Sequence, residues 1–284
     1  EFIMLKFNNR TLTYNNRWLN ETMIPIDLPP NTVRLRYADG IIPTAYHEFP
    51  GTTLTQISSI PNIWDITHWD PQYPGEWHYL FDGTPYSVGG YGYGWGLLEV
   101  MAANVSNITN MTGAFSNCYF LYKVCDMNTS KCTDFTSMFN GCRKLVSIGT
   151  INTSKASITD WMFIGCENLI ELPSINLSQI ESMAGMFCGC PKLSVIPNIT
   201  LPAYTYANSG KIEDCHQLFD SCYNISSGAL DLYNKLTHTY YLSGQTCCLV
   251  ILRDKLAHQY CFRNCGRDTV TGAAELAQIP DEWK

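Results

Sequence analysis

Aromatic and acidic residues are concentrated between residues 64 and 95 of this 284-residue chain. Flat aromatic faces can stack on sugar rings, and neighbouring carboxylates can accept hydrogen bonds from sugar hydroxyls. Tyr91, Tyr93 and Trp95 alternate with glycines. In an extended chain the three rings therefore project to one side, and a ligand can approach the backbone closely. We predict a ligand site at Tyr91, Tyr93 and Trp95, with Trp69 and Trp77 as neighbours.

Two other interpretations of this region stay open. Large aromatic residues are usually buried, in which case the rings form the core of a cap. A pair of carboxylates about 5 to 9.5 Å apart would instead indicate a glycosidase, but no spacing in the chain fixes such a pair. The sequence contains no His-Glu-x-x-His motif, no phosphate-binding loop and no Gly-x-Ser-x-Gly motif. We therefore expect a protein that is not an enzyme, with no metal site and no cofactor.

A repeat of 24 residues accounts for many of the cysteines. The pattern Phe-x-x-Cys recurs four times in one frame: Phe115/Cys118, Phe139/Cys142, Phe163/Cys166 and Phe187/Cys190. Three residues after each Cys stands a Leu: Leu121, Leu145, Leu169 and Leu193. Counting back 24 residues from Cys118 reaches Gly94, so an earlier turn has Gly in place of Cys. Leu97 and Val100 follow at the positions that Leu121 and Val124 occupy in the next turn. Such a period, with apolar positions three apart, is typical of a leucine-rich repeat.

Stacked repeats would bring the in-phase thiols to the distance between neighbouring turns. Their Cβ atoms would then point in parallel and stay too far apart for a disulfide. We expect free, buried thiols at these positions, whereas cysteines outside the frame, such as Cys188, Cys247 and Cys248, could pair. Ten sites match Asn-x-Ser/Thr, including Asn128, Asn152 and Asn176. Because those three share one phase of the repeat, we expect them to lie buried in a structural ladder that excludes glycans.

The segments 136–142 (Thr-Ser-Met-Phe-Asn-Gly-Cys) and 186–190 (Met-Phe-Cys-Gly-Cys) resemble the BspA-like leucine-rich repeat. The resemblance is close over residues 97–200 and looser around Phe219/Cys222 and Phe262/Cys265. The closing residues 264–280 are similar to the ends of such proteins from gut bacteria and their phages. The resemblance implies a recognition protein on a cell surface or virion, and it brings no catalytic residues with it.

These observations predict an α/β fold: a leucine-rich-repeat solenoid with 24-residue repeats, each a short strand followed by a helical piece. Val33, Leu35 and Tyr37 alternate as in a β-strand. We therefore expect a β-rich N-terminal capping domain over residues 1–96 and the solenoid over residues 97–284. Residues 229–236 and 273–279 have helix-rich compositions and are predicted to form a helical C-terminal cap, because a stack of repeats must cover both of its ends.

The composition of the chain limits the classes of partner that we expect. The chain is 45% hydrophobic and 15% charged, with a formal net charge of −7 and no run of basic residues, so nucleic acid is not expected to bind. No apolar stretch is long enough for membrane insertion.

We expect a recognition or adhesion protein on a bacterial surface or phage particle, with a protein or a cell-surface glycan as partner. A structural component of a virion or tail is the alternative, and a glycan-acting enzyme comes third. Residues 1–4 show no signal peptide, so the route to the surface stays open.

Overall fold

The computed structural model describes residues 28–44, 49–57, 62–83, 92–202, 212–237 and 256–284. It also describes the backbone of an antiparallel pair of strands near the N-terminus, β1 (Met4–Phe7) and β2 (Arg10–Thr13). Tyr91 lies outside the described residues, as do Cys247 and Cys248.

A mixed six-stranded sheet forms the first half of the described structure. Its strands are β3 (Thr32–Tyr37), β4 (Thr52–Gln56), β5 (Ile63–His68), β6 (Leu97–Asn104), β7 (Lys123–Val124) and β8 (Ser147–Ile148). The order across the sheet is β4-β5-β3-β6-β7-β8, antiparallel from β4 to β6 and parallel from there to β8. Val33, Leu35 and Tyr37 point into the core, in keeping with the predicted alternation. The sheet runs across residue 96, and the predicted domain boundary there stays a prediction.

A ladder of stacked phenylalanines runs through the rest of the molecule. Neighbouring ring centroids lie 4.8 to 6.3 Å apart and the rings are nearly parallel. This Phe ladder consists of Phe81, Phe115, Phe139, Phe163, Phe187, Phe219 and Phe262, all buried. Trp283, in a final 3-10 helix (Asp281–Trp283), lies against Phe262 and closes the last turn.

The segment around each phenylalanine is a double turn and not a helix. In the six turns from Phe115 onward, the residues two before and two after the Phe both have positive φ. For Phe163 these are Trp161 (φ 59°) and Gly165 (φ 70°). A residue in the left-handed region ends a right-handed helix, so two of them within five residues leave no room for one. The side of the molecule on which helices were predicted is therefore built from tight turns.

The predicted fold class, an α/β leucine-rich-repeat solenoid with a helical C-terminal cap, is wrong. The described residues are dominated by a mixed sheet and by turns, and they contain two α-helices, α1 (Ala229–Thr237) and α2 (Val270–Leu276). The 24-residue spacing persists as a spacing of stacked turns, but the unit that stacks is not a strand followed by a helix.

Two prolines explain why the parallel sheet is short. The amides of Cys125 and Gly149 donate to the carbonyls of Val100 and Val124, at 2.9 and 2.8 Å. The residue 24 positions after Gly149 is Pro173, which has no N–H to donate. Pro197 follows after a further 24 residues. The sheet therefore ends at β8, and the strands β9 (Ile175–Asn176) and β10 (Ile199–Thr200) form a separate parallel pair.

Side chains of α2 and of its N-cap fix the start of α2 and join it to α1. The hydroxyl of Thr269 caps α2 by accepting the amide of Gly272 at 3.0 Å. Glu275 on α2 accepts the amide of Leu230 at the start of α1, at 3.2 Å. No helix within the described ranges combines the length and the apolar character needed to span a membrane.

Candidate binding surface

The in-phase cysteines serve the backbone. Cys118, Cys142, Cys166, Cys190 and Cys222 are free and buried, and each thiol donates to the carbonyl of the phenylalanine one turn earlier, at 2.9 to 3.3 Å. For Cys166 the acceptor is Phe139, at 3.3 Å. Burial raises the pKa of the Cys166 and Cys222 thiols well above the ordinary value. These thiols therefore stay protonated, which suits a structural donor and not a nucleophile.

Half-buried Cys125 and Cys188 and buried Cys132 are also poor nucleophiles. Burial raises the pKa of Cys125 and of Cys132 to about 12, and that of half-buried Cys188 to about 11. Cys188, for which pairing was considered, is free in the structure. Asp220 raises the pKa of Cys188 further, although Arg263 partly offsets this effect.

The structure separates the residues of the predicted aromatic site. Trp77 is buried and makes an edge contact with Phe81 of the Phe ladder, with ring centroids 5.6 Å apart. Tyr93 is also buried, and its carbonyl accepts the hydroxyl of Tyr37 at 2.6 Å. These two side chains therefore belong to the core, because they cover the first turn of the ladder. Trp69 and Trp95 are exposed, by 43% and 38%, and remain available to a ligand.

Three exposed aromatic residues belong to the first turns of the stack, and two of them are in contact. Trp95 contacts Phe120 edge to face, with centroids 5.9 Å apart and an angle of 81° between the planes. Phe120 is 48% exposed, and Tyr122, two residues further along, is 40% exposed. We call Trp95, Phe120 and Tyr122 the ring cluster. The sequence interpretation included Trp95 and missed the other two. The sequence signal for these two residues was their position in the repeat, because they are aromatic where the next turn has Lys144 and Val146.

Glu99 on β6 connects the ring cluster to a network of charges. Its carboxylate lies 3.3 Å from the ammonium of Lys123 and 3.6 Å from the guanidinium of Arg36. The hydroxyl of Tyr122 donates to the same carboxylate at 3.2 Å. The hydrogen bond to Glu99 therefore holds the tip of the Tyr122 side chain. In the same network the cations of Lys123 and Arg36 lie beside the single carboxylate of Glu99.

A shallow groove of about 330 Å³ lies across β6, β7 and β8 next to Tyr122. Polar and charged side chains line it together with apolar ones. The polar lining is Glu99, Lys123, Asp126 and Ser147. The close approach of two turns shapes its far end: a Cβ on Gly149 would lie 2.5 Å from the Cys125 carbonyl carbon. Glu99 lines the groove and accepts the Tyr122 hydroxyl, so the ring cluster adjoins the groove at Tyr122.

An apolar row continues from the ring cluster along the stack. Tyr122, Val146 and Ile170 are exposed and occupy the same position in successive turns. Backbone hydrogen bonds join them, from the amide of Val146 to the carbonyl of Tyr122 at 3.1 Å and from Ile170 to Val146 at 3.3 Å. Leu121, Leu145 and Leu169, each one residue earlier, are fully buried. The row is therefore fixed to the core at every turn.

The asparagines of the repeat do not lie where they were expected. Asn128, Asn152 and Asn176 are exposed, whereas their neighbours Thr129 and Thr153 are buried. The threonine hydroxyls form the ladder by donating to the carbonyls of Asn152 and Asn176, at 2.8 and 2.9 Å. The expectation that burial of these asparagines excludes glycans is wrong, because the buried hydroxyl belongs to the next residue.

A second group of titratable side chains lies on the turn side. His216 contacts Asp214 at 2.6 Å, and Ser182 donates to Asp160 at 2.6 Å. Burial raises the pKa of Asp160, although the hydrogen bonds from Ser182 and Ala184 oppose the shift. The Asp214–His216 pair lies within one turn, whereas the Ser182–Asp160 pair connects neighbouring turns. Within the ranges that the structure describes, no three His, Cys, Asp or Glu side chains are arranged to hold a metal ion.

Residues 97–198 match a family described as "Mycoplasma protein of unknown function, DUF285". The match spans 102 of the 284 residues, from the start of β6 to the residue before β10. It contains the ring cluster residues Phe120 and Tyr122, the groove and the turns around Phe115 to Phe187. No curated protein matched the chain, and no solved structure matched it.

Proposed function

We propose that the protein is a non-enzymatic recognition or adhesion protein, presented on a bacterial surface or a phage particle and related to the BspA-like surface proteins. Its partner would be a protein or a cell-surface glycan. One observation carries the proposal: the outward positions of the stacked turns change chemistry from turn to turn over a core that does not change.

Two rows of positions illustrate the contrast. Three residues after Cys118, Cys142, Cys166 and Cys190 the side chain is Leu, and it is buried. Two residues after the Cys the side chains are Phe120, Lys144, Asn168 and Lys192. Exposed positions can vary in this way without loss of stability, because the Leu and Phe side chains fix the backbone beneath them. Such a surface is suited to recognition.

A structural role in a virion is the second candidate, and one observation favours it. Strand β4 is an edge strand of the six-stranded sheet, and Thr53, Thr55 and Gln56 on it are exposed. Exposed edge strands can pair with a strand of another chain, which is one route to assembly.

Three measurements on the purified protein separate these functions. A recognition protein binds whole gut bacterial cells and stays a small species in light scattering. A structural component forms stable oligomers and binds no cells. Release of reducing sugar from a polysaccharide would indicate an enzyme. Absence of cell binding across a broad panel of gut species would contradict the proposed function.

A further inference from the structure

We propose that the ring cluster, together with the polar end of the adjoining groove, binds a neutral oligosaccharide. The inference rests on the proposed recognition function, since it names the class of ligand and the residues that hold it. The contacts would be apolar sugar faces against Trp95, Phe120 and Tyr122, with sugar hydroxyls bound by Lys123, Ser147 and Asp126.

The geometry of the rings favours stacking on a sugar. Trp95 and Phe120 meet at 81°, so each ring leaves part of its face open to solvent. Single exposed aromatic side chains need no explanation, but Trp95 and Phe120 are in direct contact and Tyr122 follows two residues after Phe120. Later turns have no equivalent patch, because positions 144, 168 and 192 carry Lys, Asn and Lys. The aromatic character is therefore local to the first complete turn.

The polar groups beside the rings suit hydroxyls. Lys123 is the most exposed member of the Glu99 network, and its ammonium can donate to a sugar oxygen while it stays near Glu99. Asp126 is exposed and Ser147 is half-buried, and both line the groove. These groups provide donors and acceptors within one groove that crosses three strands, a width of about 10 Å. A short oligosaccharide fits that span.

The charges indicate a neutral ligand. Arg36 and Lys123 contribute two positive charges, and Glu99 and Asp126 contribute two negative charges. With no excess of either sign, the surface has no strong preference for an anionic or a cationic glycan. Binding should therefore depend weakly on salt.

The support beneath the rings reduces the entropic cost of binding. The amide of Tyr122 donates to the carbonyl of Leu98 at 2.9 Å, and the amide of Leu121 donates to that of Cys118 at 3.0 Å. The hydroxyl of Tyr122 is bound to Glu99. A ring that is already held in place loses little freedom when a ligand binds.

A protein partner would use the surface differently. It would cover the full apolar row, so Val146 and Ile170 would contribute as much as Tyr122. A short oligosaccharide on the ring cluster does not reach Ile170, two turns away. The two classes of ligand therefore predict different sets of sensitive residues.

The first experiment uses cells that bind the protein. One sample is oxidised with periodate, which cleaves vicinal diols of sugars, and another is treated with protease. The glycan proposal predicts loss of binding after periodate and retention after protease. The reverse result would overturn the glycan proposal and leave the recognition function intact. No binding to untreated cells would contradict the recognition function itself.

The second experiment names the residues, using a printed array of neutral and acidic oligosaccharides. Trp95→Ala and Tyr122→Ala should each weaken binding to neutral probes about tenfold or more, as expected when a stacked ring is removed. The matched control is Tyr260→Ala, which removes an equally exposed ring, at 49%, at the far end of the stack. Tyr122→Phe keeps the ring and should retain most of the binding. Raising the salt tenfold should change affinity by less than about twofold.

Three results of the array would overturn the proposal: binding only to acidic probes, full binding by both alanine variants, or equal loss in Ile170→Ala. Thermal melts of all variants accompany the array. Since the three rings are 38% to 48% exposed, the alanine variants should melt within a few degrees of the wild type. If one did not, Trp95→Leu and Tyr122→Leu would test the same positions with an apolar side chain that has no ring.

Discussion

At the scale of single residues, Cys166 shows how the chain uses its thiols. The Sγ donates to the carbonyl of Phe139 inside the core, and burial raises the pKa of the thiol. Iodoacetamide reacts with the thiolate, so native Cys166 should be alkylated far more slowly than in urea. Half-buried Cys188, whose pKa is raised to about 11, should react before buried Cys166 as the pH approaches 10. Peptide mass spectrometry measures both rates, and equal rates in the native protein would contradict the buried thiol ladder.

Buried thiols also make stability depend on pH. Cys132 has a pKa of about 12 in the folded chain against 9.0 for an ordinary thiol, because burial disfavours the thiolate. Above pH 9 the unfolded chain therefore releases protons that the folded chain keeps. Each such thiol lowers the free energy of unfolding by up to about 1.4 kcal/mol per pH unit between pH 9 and 12. Urea titrations of wild type and Cys132→Ala at pH 8, 9 and 10 measure the slope, which should be shallower in the variant. Identical slopes would contradict this assignment.

Gly94 shows why the repeat lacks its first cysteine. A Cβ at this position would overlap the carbonyl oxygen of Phe81 and lie 2.6 Å from the Sγ of Cys118. Gly94→Ala should therefore lower the free energy of unfolding by about 3 kcal/mol or more. Gly165→Ala is the control, because its Cβ would meet nothing closer than 3.9 Å and only the positive φ of 70° costs, about 1 to 2 kcal/mol. Chemical denaturation compares the two, and a smaller effect at Gly94 would contradict the packing described.

At the scale of elements, the Phe ladder carries much of the stability. Phe139 lies between Phe115 and Phe163, with centroids 5.6 and 5.5 Å away, and is fully buried. Phe139→Ala should lower the free energy of unfolding by about 3 to 5 kcal/mol, because it removes buried surface and leaves a cavity. Exposed Lys155 makes no such contact, and Lys155→Ala should change stability by less than about 0.5 kcal/mol. If the Phe139 variant melted within a degree or two of the wild type, the ladder would not be the core.

The 24-residue pattern predicted which positions of the repeat are buried better than it predicted the secondary-structure elements. The burial of Leu121, Leu145, Leu169 and Leu193 follows from their 24-residue spacing. The helical pieces of the repeats were predicted wrongly because the left-handed positions hold residues as different as Gly185, Trp161 and Gln217, and such variety hides the turn. The end of the sheet had a visible signal in Pro173, since proline cannot donate to a ladder.

Candidate site residues were harder to predict than core residues. Trp77 and Tyr93 belong to the core because the Phe ladder starts at Phe81, before the first in-phase cysteine, and needs apolar cover there. That start is not visible in the repeat, since residues 82–93 separate Phe81 from Gly94. Phe120 and Tyr122 could have been recognised from the sequence as aromatic residues at exposed positions of the repeat. The contact between Phe120 and Trp95 could not be recognised, because it depends on how the chain returns to the stack.

At the scale of the whole molecule, stability and recognition occupy different positions of the same turn. The side chains of Leu121 and Phe115 fix the backbone, and those of Phe120 and Tyr122 face solvent. This separation predicts that the two properties can be altered independently. Changes in the Phe ladder should unfold the protein, whereas changes in the ring cluster should leave a folded protein that no longer recognises its partner.

The double variant Phe120→Ala/Tyr122→Ala tests this claim most directly, in flow cytometry of fluorescently labelled protein on bacterial cells with thermal melts of the same samples. We predict that the variant melts within a few degrees of the wild type and loses at least about nine-tenths of its cell binding, as expected when two central aromatic contacts are removed. A variant that melts like the wild type and binds cells equally well would contradict the claim that this surface performs the recognition.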